Sequence, residues 1–270
     1  MKKVLSLVLA ILMVVGAVAA FASCKKTDEK VVTVGYTIYE PMNYKDDSGK
    51  LVGFDTELAE KVFGNLGYKV IFKEIDWDNK YIDLASGTID CVWNGFTANC
   101  EDDDGVQRSE KVDFSYNYME NQQVVVAKKD SGIATVADLK GKIGKAEAGS
   151  AGETYAKKAF ATTEVGASIS SVTKQTDALL EVNSGTADFA VLDVQLARSY
   201  CGKGDYANLA IVEAISGETE FYAIGFKKGS DLTAKVNEQL DALAKNGELL
   251  KLAQKYKVET TTIVDFSSQK

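Results

Sequence analysis

The chain has 270 residues, 46% of them hydrophobic, and carries 39 acidic against 31 basic side chains with no histidine. A net charge of −8 repels phosphate backbones and argues against nucleic acid as a partner. The missing histidine removes Ser-His-Asp and Cys-His catalysis and the commonest metal ligand. No metal or cofactor is therefore expected, and an enzyme would have to rely on carboxylates, lysine or tyrosine.

Lys2 and Lys3 precede an apolar run over residues 4–22, the pattern of a secretory signal. Phe21-Ala22-Ser23-Cys24 follows, then the polar stretch KKTDEK. Small residues before a cysteine resemble the lipobox of bacterial lipoproteins, although Phe21 stands where leucine is usual. The resemblance implies a signal peptide over 1–23, lipidation of Cys24, and a lipid anchor and tether over 24–30. The protein would then be extracytoplasmic, at a cell surface or in a periplasm, and touch the membrane only through its lipid. Loss of Lys2 and Lys3 leaves 29 basic against 39 acidic side chains. About 240 residues remain, enough for one large core or two modest ones. Three cysteines are left: Cys91, Cys100 and Cys201. Their odd number and the lack of a C-x-x-C spacing argue against a zinc site or a full disulfide framework. The spacing leaves a Cys91–Cys100 bridge open.

Strands and helices alternate from there. Residues 31–35 (VVTVG) read as a short apolar strand, followed by the turn-rich KDDSGK. Leu58, Ala59, Val62, Phe63 and Leu66 mark one face of a helix that Gly67 stops. Residues 68–72 read as strand, 80–85 as a short helix ending at Gly87, and 88–93 (TIDCVW) as strand again. This order predicts parallel βαβ units and an α/β fold. The same grammar then restarts. Thr135 caps VADLK, 142–146 is strand-like, Gly149-Ser150 opens a helix through Phe160, 178–183 is helical, and 187–192 (ADFAVL) is a buried strand. SGTID at 86–90 and SGTAD at 184–188 lie 98 residues apart, and each joins a helix end to an apolar strand. Their matched context points to two similar lobes. Residues 221–226 are strand; Leu232, Val236, Leu240 and Leu243 share a helix face; Asn246-Gly247 breaks it, and 248–257 forms a last helix. Runs 122–127 and 221–226 sit where the chain would cross between lobes and return, which makes a hinge. The expected first lobe is 31–122 with 219–270, and the second is 123–218.

In open α/β sheets, ligands bind beyond the carboxyl ends of strands. The tips here offer Tyr36 to Tyr39, Asp76-Trp77, Asn94-Gly95-Phe96-Thr97, Gly149-Ser150-Ala151 and Asp193, the inventory of a small-molecule cleft. YEPMNY (39–44), GKLVGFDTELA (49–59), SGTID, NGFT, RSEKVDFS (108–115), ADLKGK (137–142), AGSAGE (148–153), SGTADFAVLD and KNGELLKL occur in order along the chain. With these segments the sequence resembles the family 3 extracellular solute-binding proteins, the amino-acid receptors of ABC importers. The resemblance implies a two-lobed Venus-flytrap fold of the type II periplasmic binding proteins, each lobe a mainly parallel sheet flanked by helices. Such a protein closes on a free amino acid and delivers it to an ABC permease.

The resemblance also implies roles. Tyr39 and Trp77 would flank the ligand side chain. Asn94 would offer its carbonyl, Gly95 its amide and Thr97 its hydroxyl to the ligand head. Ser150 and the amide of Ala151 would meet the carboxylate, and Asp193 the α-ammonium group. Tyr36, at the first strand's tip, is a further candidate. The physics fits, because a zwitterion needs an anion site and a cation site close together, and arginine's planar fork suits a carboxylate better than lysine does. A helix N-terminus at Ser150-Ala151 adds free amides and partial positive charge.

Arg108 and Arg198 are the only arginines beside 29 lysines. In the family an arginine usually follows the threonine by five positions. Here Arg108 follows Thr97 by eleven, and Asp102 stands at the fifth. RSEKVDFS aligns without a gap, so the sequence reads as a six-residue insertion within 99–106, with Arg108 keeping the carboxylate role. The acidic EDDDG inside the insertion reads as a solvated turn, because the calcium-loop spacing is absent. Asp55 reads as a helix cap or a pocket residue, and Phe96 and Glu147 are weaker candidates. The rivals are a dehydratase-like enzyme on the same fold, with Glu147 and Asp193 as its pocket carboxylates, and a ligand-sensing module. The latter is disfavoured because the sequence reaches Lys270 with no signalling domain. A monomer is expected.

Overall fold

The computed structural model describes residues 30–270; the expected signal peptide and Cys24 lie outside the described residues. Val32 and Val34 are fully buried while Val31 is exposed, so β1 (Lys30–Tyr36) enters a sheet with alternate residues committed to core. A small hairpin, β2 (Tyr44–Lys45) with β3 (Leu51–Val52), leads into α1 (Phe54–Asn65). Leu58, Ala59, Val62 and Phe63 bury the inner face of that helix. β4 (Tyr68–Glu74) pairs beside β1, and α2 (Lys80–Ser86) follows a tight 3-10 turn at Trp77–Asn79. β5 (Cys91–Thr97) then runs parallel to β1, with Val34 opposite Cys91. α3 (Arg108–Lys111), β6 (Asp113–Phe114) and β7 (Met119–Asn121) complete the first pass.

The strand expected over 88–93 starts three residues later. Gly87 ends α2 in the left-handed conformation, and the N–H groups of Thr88 and Ile89 still donate to the Asp83 carbonyl. The chain joins the sheet only at Asp90 and stays in it through Thr97. Asn94 to Thr97, expected beyond the strand, are therefore part of it, and every residue of β5 is buried. Cys91 and Trp93 pack toward α1, the Trp93 ring lying 6.0 Å from that of Phe63. Val92 and Phe96 join Trp77 and Leu84 in a separate cluster on the other face.

The chain passes to a second sheet at Gln122. β8 (Gln123–Lys128), β9 (Ile143–Glu147), α4 (Ala151–Phe160), β10 (Ser168–Val172), α5 (Gln175–Ser184), β11 (Phe189–Asp193), α6 (Val194–Tyr200) and β12 (Leu209–Ser216) build this lobe. Its strand order is β10-β9-β11-β8-β12. β9, β10, β11 and β12 point the same way, and β8, between β11 and β12, runs against them. Neither β10 nor β12 was marked by its sequence. β10 is a half-exposed edge strand without an apolar run, and the pairing of β12 slips between Ile211 and Ser216. The chain returns across 217–219 into β13 (Glu220–Phe226), which inserts antiparallel between β5 and β6. α7 (Leu232–Lys245) and α8 (Glu248–Tyr256) close the first lobe against α1.

The two-lobed α/β architecture is the one expected, though both sheets are mixed because the strand that follows each crossing, β8 or β13, runs backward. Runs 122–127 and 221–226, expected as the crossings, are strands within the sheets. The crossings themselves are Gln122 and 217–219, and the Gln122 side chain donates to the Gly217 carbonyl at 3.2 Å, tying one to the other.

The repeated pentapeptide does the same job in each lobe. Asp90 N–H donates to the Thr33 carbonyl at 2.8 Å, and its carboxylate accepts from Thr33 N–H at 2.7 Å. Asp188 makes the same pair of bonds to Ile143, at 2.9 and 2.8 Å. Gly87 and Gly185 are both left-handed helix ends. Each pentapeptide thus stops a helix and clips the following strand to its parallel neighbour in the sheet, β1 or β9.

In the second lobe the ring of Phe189 lies directly over Gly144, where an added Cβ would approach its Cζ to 2.4 Å. It also meets Phe160 edge-on at 6.1 Å. Phe189→Ala should cost about 3–5 kcal/mol of stability, seen as a lower midpoint in urea. An unchanged midpoint would show that this core is not tightly packed.

Candidate ligand cleft

Between the lobes, Trp77, Asn94, Gly95, Thr97 and Arg108 of the first face Glu147, Ser150, Ala151, Gln175 and Asp193 of the second across one small cavity of about 10 Å³. That is room for about one water. The lobes touch here directly: Arg108 Nη2 and Lys80 Nζ both donate to the Gly149 carbonyl, at 3.2 and 3.0 Å. All the expected site residues line this cavity except Tyr36 and Tyr39. A wider groove of about 490 Å³, containing Cys100, Glu101, Tyr155 and Glu220, shares Ala151 with it.

Arg108 is 1% exposed, and its burial is compensated on three sides. Nε meets Asp102 Oδ1 at 2.8 Å, Nη1 donates to the Thr97 carbonyl at 3.2 Å, and the guanidinium carbon sits 5.2 Å from the Phe96 ring. Burial would raise the pKa of Asp102, but the Arg108 charge and the Lys111 bond bring it down to about 2. Asp102, at the position where the family's arginine is expected, cannot hold a carboxylate; it holds Arg108 instead.

Asp193 closes β11 at the start of α6 and is 6% exposed. No cation pairs with it among the described residues; side-chain amides do the work. Asn121 and Gln123 donate to Oδ1 at 2.6 and 2.7 Å, and Gln175 donates to Oδ2 at 2.5 Å. Burial raises its pKa, and these bonds oppose the rise. Ser150 caps α4, its Oγ accepting from Glu153 N–H at 3.0 Å. The first amides of α4, at Ala151 and Gly152, have no intrahelical acceptor, so the helix start presents donors to the cleft.

Several expected contacts go elsewhere. The Gly95 amide, assigned to the ligand head, donates to Asp55 Oδ2 at 2.9 Å. Gly95 itself has φ +60°, and an added Cβ would lie 2.8 Å from Tyr39 and 3.0 Å from Tyr222. Tyr39 is thus behind the β5 backbone, its hydroxyl 2.6 Å from that of Tyr222, and does not face the cavity. Tyr36 packs edge-on against Phe72 at 6.2 Å, also outside it. The Asn94 side chain is tied to Thr37 and Asn43, which leaves its backbone to the cleft. Thr97 Oγ1 donates to Glu220 at 3.1 Å. Asp55 neither caps α1, whose cap is Gly53, nor lines the cavity; it binds the Gly95 amide and the Tyr118 hydroxyl. Cys91, Cys100 and Cys201 are free thiols, so no Cys91–Cys100 bridge exists. Among the described residues no cluster of His, Cys, Asp or Glu could hold a metal ion.

Two residues of the site were missed. Gln175, at the start of α5, both donates to Asp193 and accepts from its amide at 3.0 Å. Lys80 is 1% exposed, lies 5.2 Å from the Trp77 ring centre, and is lowered to about pKa 7 by burial and the Arg108 charge. Its place one turn after Trp77 was the only available signal. Glu147, read as weak, lines the cavity: burial and the neighbouring Asp193 raise it to about 8, against the pull of Lys80.

Residues 32–259 match the family described as bacterial extracellular solute-binding proteins, family 3. The arginine-binding extracellular protein ArtP of Bacillus subtilis is 33% identical, with 81% of this chain and 82% of that one aligned. The L-cystine-binding protein TcyA of the same organism is 34% identical over 87% and 84%. An ancestral arginine-binding protein bound to arginine superposes with a TM-score of 0.75 at 35% identity, covering 84% of this chain and 98% of that one.

Asp55 supplies a pH test. Its pKa of about 7 in the fold stands above the ordinary aspartate value because of burial. An acid held protonated by the fold makes stability fall as pH rises from about 4 to about 7. Asp55→Asn keeps an acceptor for Gly95 and Tyr118 and should flatten that slope in urea titrations at several pH values. A slope unchanged by the substitution would place the effect elsewhere.

Proposed function

The chain belongs to the family 3 bacterial extracellular solute-binding proteins, and on that footing we propose that it captures an amino acid with a cationic side chain and passes it to an ABC permease. It is an extracytoplasmic receptor that binds a free amino acid between its lobes. One observation carries the finer choice. Beyond Arg108 and the α4 amides for an α-carboxylate, and Asp193 for an α-ammonium group, the same cavity contains a second buried carboxylate, Glu147. Glu147 lies beside Asp193, and once ionised it is a second anion for a ligand guanidinium or ammonium to meet. Trp77 supplies a flat wall for the aliphatic stem. The arginine ligands named for ArtP and for the ancestral protein agree with this choice.

Binding works as a population shift. The α-carboxylate takes the place of the Gly149 carbonyl on Arg108 Nη2 and bridges to the start of α4, so the ligand touches both lobes only when they are closed around it. The cavity must widen first, which makes the hinge at Gln122 and 217–219 part of the binding step. Lipidation at Cys24 keeps the receptor near its permease, and it acts as a monomer. No chemical change is made to the ligand. A dehydratase-like role would place Glu147 as the acid or base, and recovery of unaltered ligand by mass spectrometry excludes it.

L-arginine at about a hundred times its dissociation constant should add about 2.7 kcal/mol, or roughly 5 to 10 °C in thermal unfolding. Arg108→Ala should abolish the shift. A shift that survives that substitution would mean another group holds the carboxylate, and no shift with any basic amino acid would refute the ligand class.

The pH dependence has a definite sign. Glu147, near 8, must lose its proton to meet a cation, while Lys80, near 7, loses its charge in the same direction. Affinity for L-arginine should therefore rise between about pH 6 and about pH 8, by at most about tenfold per unit for each group, with proton release seen by calorimetry. Glu147→Gln should weaken arginine binding and remove Glu147's part of the slope.

A further inference from the structure

The acidic loop between Thr97 and Arg108 is exposed at Asp103, Asp104 and Gly105, as expected, but it is also anchored. It is a closed turn, with Asp102 N–H donating to the Val106 carbonyl at 3.0 Å and Gly105 N–H to the Asp102 carbonyl at 2.8 Å. That closure aims three successive acids in two directions. Asp102 turns inward to Arg108 and Lys111. Glu101 forms an ion pair with Lys158, and Asp103 with Lys157. Asp103 also accepts from Thr154 Oγ1 at 2.9 Å. Thr154, Lys157 and Lys158 all lie on α4, the second-lobe helix whose first residues line the cleft.

Resting on the receptor reading above, we infer that the loop at 99–107 is an interlobe latch, which grips α4 when the lobes close and holds Arg108 in its cleft-facing pose from the same turn. The reach is built into the insertion: Asp102 and Asp103 are adjacent in sequence but bind groups in different lobes. Opening the cleft must break Asp103 and Glu101 from α4, whereas Asp102 stays with Arg108. The two outer pairs are partly exposed, so each is modest and sensitive to salt. The Asp102–Arg108 pair, with Arg108 1% exposed, is shielded from salt. Ligand residence should therefore depend on ionic strength through the outer pairs, with a further share from Lys174–Glu74, an exposed ion pair between the lobes at 2.7 Å that the loop does not touch.

The test compares the protein with its Glu101→Gln, Asp103→Asn double variant, in which Asp102 and Arg108 are untouched. Small-angle scattering without ligand reads closure, and stopped-flow release of L-arginine reads residence. At about 50 mM salt the variant should have the larger radius of gyration and release arginine about three- to tenfold faster; at about 500 mM the wild type should approach it. A change in release alone still supports the latch, as one acting on the liganded state. Unchanged release and radius in a folded variant would overturn it, and so would a wild type insensitive to salt. Failure to bind arginine at all would refute the ligand class and leave the scattering comparison to decide the latch.

Discussion

A guanidinium buried between two separately folded sheets is the constraint on which the rest of this structure turns. Arg108 cannot sit at 1% exposure without compensation, and its three hydrogen-bond partners come from three places: the inserted loop, the end of β5 and the opposite lobe. The partner in the opposite lobe is a backbone carbonyl, an acceptor without a full charge. A ligand carboxylate is a stronger acceptor for the same donor, so the closed form is built in a way that ligand can improve. Lys80 shares that carbonyl and has its pKa lowered first by burial and then by the neighbouring Arg108 charge.

Asp193 is the mirror of this problem. Its charge is buried without any cation, and Asn121, Gln123 and Gln175 supply amide donors in place of one. Two of those amides come from the residues flanking the first crossing between lobes. Glu220, at the second crossing, accepts from the same Asn121 and Gln123 side chains at 3.0 and 2.9 Å. The Asp193 carboxylate is therefore tied to both crossings through the same two amides.

The lobes are alike in construction and unlike in use. The SGTID and SGTAD segments end a helix and clip a strand by the same pair of bonds, one between backbones and one from a backbone amide to the aspartate carboxylate. What is hung on the strand tips differs. The first lobe supplies aromatic walls and cations in Trp77, Lys80 and Arg108; the second supplies a helix start and two carboxylates. Each half alone carries charges it could not bury, and bringing the halves together satisfies both.

The alternation of strands and helices, the two lobes and eight residues of the cleft could all be read from the chain, because apolar periodicity, glycine stops and short motifs are local properties. Arg108 was legible too, by alignment of RSEKVDFS rather than by distance from Thr97. Orientation was not legible. Tyr39 and the Gly95 amide stand beside the cleft in sequence yet serve the packing behind it, since the positive φ of Gly95 turns the β5 backbone between two tyrosine rings. Asp55 was placed by its nearness to a helix start, but a contact with residues forty and sixty-three positions away decides its role. The acidic insertion looked like solvent-exposed charge because its partners on α4 lie more than fifty residues on. Composition and periodicity settle which segments fold and which faces are buried; which buried polar group meets which is settled only when distant segments are brought together, because hydrogen bonds and ion pairs act over a few ångströms of space and carry no memory of separation along the chain.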